Sequence, residues 1–131
     1  MVIRKMMSNL DIYNHANALL ESFENMADIV MPVKVHFYFQ KNMNVIVDIA
    51  KDLEASRTDI LKKYGTLAED GLSYNFEPDV VEKVNKDIND LFTIEQEIKI
   101  NVIPLEWLDN MELSAKQVNA FSFMLEGMEE E

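Results

Sequence analysis

Over most of this chain apolar residues recur at steps of three and four, the period of an amphipathic helix. Leu10, Tyr13, Ala16, Leu20, Phe23 and Ala27 form the first such row and predict a helix over about 9–27. Ser8 or Asn9 suits its N-cap, and Asp11 suits the positive end of its dipole. The next segment carries two patterns. Val33, Val35, Phe37 and Phe39 alternate with Lys34, His36, Tyr38 and Gln40, as in a strand. A longer window finds Val35, Phe39, Met43, Ile46, Ala50, Leu53, Arg57, Ile60 or Leu61, and Tyr64 at unbroken helical spacing. Pro32 is tolerated in a first turn and Gly65 suits a stop, so the longer pattern predicts one helix over about 33–64. A second apolar set, Val33, Phe37 and Val47, lies across from that stripe, so this half of the helix is central to the fold or part of an interface.

Residues 66–78 contain Gly71 and Pro78 and read as a loop, with a short extended piece at LSYNF. Asp79 with Glu82 resembles a capping box, and Val81, Val84, Ile88 and Leu91/Phe92 predict a helix over about 79–93. EIKINVI alternates over 97–103 and ends at Pro104, the clearest strand signal in the chain. One strand is not a sheet, so it must pair with a weaker strand at 2–6, with LSYNF, or with another chain. Ser114 and Gln117 form a capping box for a last helix with Val118, Phe121, Met124/Leu125 and Met128 as its stripe, ended by Gly127 and an acidic tail. The expected fold is α+β and mainly helical: four helices, one of them long (about 33–64), packed with a small β-sheet in a single domain over 1–131.

Composition narrows the chemistry. The 131 residues include no cysteine, which excludes disulfides, thiolate metal sites and a thiol nucleophile. Twelve basic residues stand against 24 acidic ones, a net charge of −12. Residues 1–63 carry eight of each sign, so the whole excess lies in 64–131, with four basic and sixteen acidic residues. That sign disfavours direct binding to nucleic acid or anionic membranes. The longest apolar runs fall short of the roughly 18 residues that span a bilayer, and MVIRKMMSNLDIY lacks a signal-peptide core. A cytoplasmic protein is expected.

The three glycines make no phosphate-binding loop, and His15 and His36 fall in no metal-binding spacing. No cofactor, metal site or catalytic constellation is expected, and the protein is read as a non-enzyme. Four features are candidates for function. Val33, Phe37, Val47 and Trp107 are a candidate interface, Trp107 being either a core plug or an anchor for a partner. Arg57, inside an apolar stripe, either lays its stem over the core or forms a buried ion pair with a carboxylate. Asp79, Glu82, Asp87, Asp90, Glu95 and Glu97 are either a solvated acidic face or a mimic of a phosphate backbone, with Lys83, Lys86 and Lys99 interrupting it. The nine methionines are core filler or an adaptable binding surface.

The order of segments carries a resemblance. SNLDIYNHANALLESF, PVKVHFYFQKN and ILKKYG in the first half, then NKDINDLFTIEQEIKINVIPLEWLDN and FSFMLE, resemble a family of small proteins of unknown function encoded by phages and prophages of Gram-positive bacteria. The resemblance spans nearly the whole chain but includes no catalytic motif. It implies a helix at 33–40, a phage origin, and a place in the host cytoplasm or on the virion. The expected role is protein–protein contact or self-association, as a virion structural or assembly accessory. The alternative is an acidic inhibitor of a host factor.

Overall fold

The computed structural model describes residues 2–23, 30–109 and 111–125. Strand β1 (Val2–Ser8) leads into helix α1 (Asn9–Ser22), followed by the long helix α2 (Val33–Tyr64). A minimal hairpin, β2 (Thr66–Leu67) and β3 (Tyr74–Asn75), precedes helix α3 (Val81–Thr93). Strand β4 (Glu95–Asn101), a 3-10 turn (Leu105–Leu108), helix α4 (Ala115–Phe121) and a second 3-10 turn (Ser122–Met124) complete the order. The expected mainly helical α+β architecture is therefore observed, and 33–40 is helical.

The strand at 95–101 finds its partner in β1. The two run antiparallel with Val2 opposite Asn101 and Ser8 opposite Glu95. Ile98 and Ile100 point into the core from one face; Glu97, Lys99, Arg4 and Met6 are exposed on the other. The strand begins two residues earlier than its alternation suggested, and it stops before Val102 and Ile103, which are both buried. Consecutive buried residues cannot both sit on one face of a strand.

Three helical expectations need correction. In α1 the buried row is Ile12, Ala16, Leu19 and Phe23, whereas Leu10 and Leu20 are 49% and 47% exposed. The apolar arc of α1 is broad, and the tie between Asn9 and the α3–β4 junction selects its phase. Asp79 and Glu82 form no capping box: α3 starts after Val80, with no side-chain cap. The last helix ends at Phe121, because Phe123, Met124 and Leu125 are all buried, and three consecutive residues span about 200° of a helix. The backbone turns out of the helix instead, with Ile103 N donating to Met124 O at 2.8 Å and Leu125 bridging Ile103. Its Ser114–Gln117 capping box is present as expected, as is the Ser8 cap of α1. Ala27, Gly127, Met128, the acidic tail and the side chain of Phe121 lie outside the described residues.

The core runs between α1, α2 and the inner face of the β-ribbon. Ile12, Leu19, Phe39, Ile46, Ile100 and Met124 are its fully buried centre. Phe23 and Phe39 meet there with ring centroids 4.9 Å apart. Burial of each such side chain contributes about 1.5–3 kcal/mol.

Candidate functional site

The first turn and a half of α2 leaves its outer surface apolar. Val33 is 85% exposed and Phe37 56% exposed, because Val35 and Phe39 take the buried side of the same turns. The 3-10 turn after β4 brings Trp107 alongside. Tyr38 bridges the two, its ring centroid 6.0 Å from Phe37 and 5.4 Å from Trp107. Together Val33, Lys34, Phe37, Tyr38 and Trp107 line an open groove of about 540 Å³. Lys34 Nζ lies 5.3 Å from the centre of the Trp107 ring, and Lys41 Nζ lies 5.4 Å from that of Phe37. Trp107 is thus half-buried: it packs against the core on one side and walls the groove on the other.

Three of the four candidate interface residues, Val33, Phe37 and Trp107, meet in this groove; Val47 does not. It lies ten residues further along α2, about 15 Å, and lines a separate cleft of about 330 Å³ with Tyr13, Asn17 and Leu20. At the end of that cleft Glu54 accepts a 2.7 Å hydrogen bond from the Tyr13 hydroxyl. That bond, reinforced by burial, raises the tyrosine pKa above its usual value. Arg57 faces the same carboxylate, at 3.5 Å, with both side chains well exposed (41% and 49%). The ion pair exists but is not buried: one turn beyond Leu53 the helix has left the core, so the guanidinium reaches water.

The acidic residues do not form one uninterrupted face. Asp87 accepts from the Tyr64 hydroxyl at 2.8 Å, Asp90 pairs with Lys86 at 2.7 Å, and Glu97 lies 3.9 Å from Arg4. Asp79, Glu82 and Glu95 are exposed. Cations therefore stand among the carboxylates on α3 and on the outer face of the ribbon.

Two buried asparagines carry structure that the apolar pattern does not reveal. Asn42 donates to Asn101 O and accepts from Asn101 N, both at 2.8 Å. Asn9 donates to Leu91 O at 2.9 Å and accepts from Gln96 Nε2 at 2.7 Å. A polar residue at helical spacing from apolar ones on both sides, as Asn42 is from Phe39 and Ile46, was the available signal.

His15 is half-buried against Phe123, ring centroids 4.3 Å apart, and burial lowers its pKa. Among the described residues no group of three or more His, Asp or Glu side chains is placed to hold a metal ion, and no helix is long and apolar enough to cross a membrane. No protein-family model, curated protein or solved structure matches the chain.

Proposed function

We propose that this protein is a phage-encoded, non-enzymatic accessory of virion structure or assembly, which works by contact with another protein or with itself in the host cytoplasm or on the virion. The phage assignment rests on the resemblance of the segment order, and one observation supports the contact role. The groove of Val33, Phe37, Tyr38 and Trp107 leaves apolar and aromatic surface open to solvent on an ordered helix. Exposed aromatic clusters of this kind are common anchors of protein interfaces. The alternative, an acidic inhibitor acting as a phosphate mimic, has less support, because Lys86, Arg4 and the Tyr64 hydroxyl occupy three of its six carboxylates.

A photo-crosslinking amino acid placed at position 37 tests the reading in infected or lysogenic cells. Protein adducts should form from position 37 and not from the exposed control position Asp52 on the same helix. Equal or absent adducts at both positions would rule out the groove as a contact surface.

A further inference from the structure

The groove has a chemical complement elsewhere on the same chain. Between Asp28 and Asp48 there is no carboxylate, and Lys34, His36 and Lys41 fall in that interval. The α2 wall of the groove is therefore cationic and apolar on a protein of net charge −12, while Glu106 and Asp109 flank Trp107 on the other wall. Lys34 in the groove lining and the neighbouring Lys41 lie over the Trp107 and Phe37 rings, and both side chains are exposed to an incoming carboxylate.

Between Lys63 and Lys83 the pattern is reversed. There is no lysine or arginine, and Glu69, Asp70, Glu77, Asp79 and Glu82 fall in the interval. This stretch contains the β2–β3 hairpin, and Leu72 at its tip is 87% exposed. The turn that holds Leu72 outward is well defined. Asp70 Oδ1 accepts from the backbone N–H groups of Leu72 and Ser73 at 2.9 and 3.1 Å. Gly71 adopts φ 72°, where a side chain would be strained. An apolar side chain on an ordered acidic turn meets a partner with little loss of conformational entropy.

These surfaces lie at opposite ends of α2. From Tyr38 to Tyr64 the helix rises about 39 Å, and the eight residues from Tyr64 to Leu72 reach at most about 29 Å. A hairpin cannot enter its own groove. We propose that Leu72 of one copy seats in the aromatic groove of the next, with Glu69 and Glu77 facing Lys34 and Lys41, so that the protein associates head to tail. The contact is heterologous: each added copy leaves one groove and one hairpin open, and the series grows until a ring closes or a filament forms. This inference rests on the reading of the groove as a contact surface and names its occupant.

Sedimentation velocity of the purified full-length chain, from about 10 μM to 1 mM as suits a small interface, provides the test. Growth past the dimer is expected, and it should weaken several-fold at high salt, since the facing charges are exposed. Leu72→Ser blocks the hairpin; Lys34→Glu with Phe37→Ser blocks the groove. All three positions are exposed, so circular dichroism should remain unchanged. Each variant alone should associate at least tenfold more weakly. An equimolar mixture should form a dimer and nothing larger, because one intact groove and one intact hairpin remain. A wild-type monomer throughout, a symmetric dimer that both variants leave intact, or a mixture that stays monomeric would overturn head-to-tail association. The contact reading falls separately, if position 37 yields no adduct with any protein in cells.

Discussion

Replacing Asn42 by alanine should destabilise the fold through one strand end. Asn42 is 1% exposed. Its amide returns both a donor and an acceptor to the backbone of Asn101, and a second contact runs from Nδ2 to Met124 Sδ at 3.3 Å. Alanine leaves the Asn101 N–H and C=O without that partner. A buried unsatisfied group costs about 1–3 kcal/mol. Asn101 is half-buried, so each of its two groups belongs near the lower end of that range. Adding the small void left by the amide, the expected loss is about 2–4 kcal/mol, a large share of the roughly 5–15 kcal/mol typical of a domain. Leucine at the same position fills the void and should fall at the low end of that range, about 2 kcal/mol, since only the unsatisfied pair remains. Aspartate accepts from Asn101 N–H but has no donor when ionised. It should be the most destabilised of the three at neutral pH, and it should recover as acid protonates its buried carboxyl. Urea unfolding followed by circular dichroism reads each loss as a shifted midpoint at constant slope. Amide exchange at Asn101 reads the lost bond directly. An alanine variant that loses less than about 1 kcal/mol, or one that leaves Asn101 exchange unchanged, would refute the reasoning.

Three further outcomes are expected. Burial holds His15 neutral in the folded state, with its pKa below the ordinary 6.5. The unfolded chain therefore takes up a proton first, so the contribution is complete above that value and is lost as pH falls through the folded pKa; His15→Gln should flatten the fall in urea midpoint over this window. Gly65 has an ordinary φ of −118°, but an added Cβ would lie 2.6 Å from Phe76 Cε1 and 3.0 Å from Leu61 O. Gly65→Ala should cost about 1–3 kcal/mol in thermal unfolding, and Phe76→Leu in the same chain should recover part of it. Arg57→Ala should change stability by no more than about 0.5 kcal/mol, as for an exposed pair; a loss above about 3 kcal/mol would mean a desolvated one.

The helical architecture was legible because periodicity reports burial directly. The α2 stripe from Val35 through Leu53 lies in the core as its spacing predicts, except that Asn42 is fully buried where Met43 was expected, and the two serine caps mark their helices. What failed was phase and termination. In α1 two apolar rows compete, and the choice between them depends on Asn9 contacts with residues more than 80 positions away. The end of α4 is set by the bridge from Leu125 to Ile103, which local pattern does not contain. Of the candidate site, Val33 and Phe37 were legible as apolar residues on the wrong side of a helix. Trp107 joins them only through the turn after β4, and Val47 parts from them because helical position fixes angle but not what packs alongside.

Two strands alone do not make a stable sheet, so something must support the β1–β4 ribbon. The inner face is covered by α1 and α2, as hydrophobic burial requires. The free edge of β4 is supported by a side chain: Asn42 offers Asn101 the donor and acceptor that the peptide of a third strand would offer. The sheet is thus completed from a helix. The same contact anchors α2 one turn after Tyr38, where Phe39 is already fully buried. Trp107 follows Asn101 by only six residues, so the clamp joins the two elements that carry the groove. Loss of the Asn42 bonds should therefore loosen the spacing between Tyr38 and Trp107, and weaken any contact made there, even though Asn42 itself never reaches the surface.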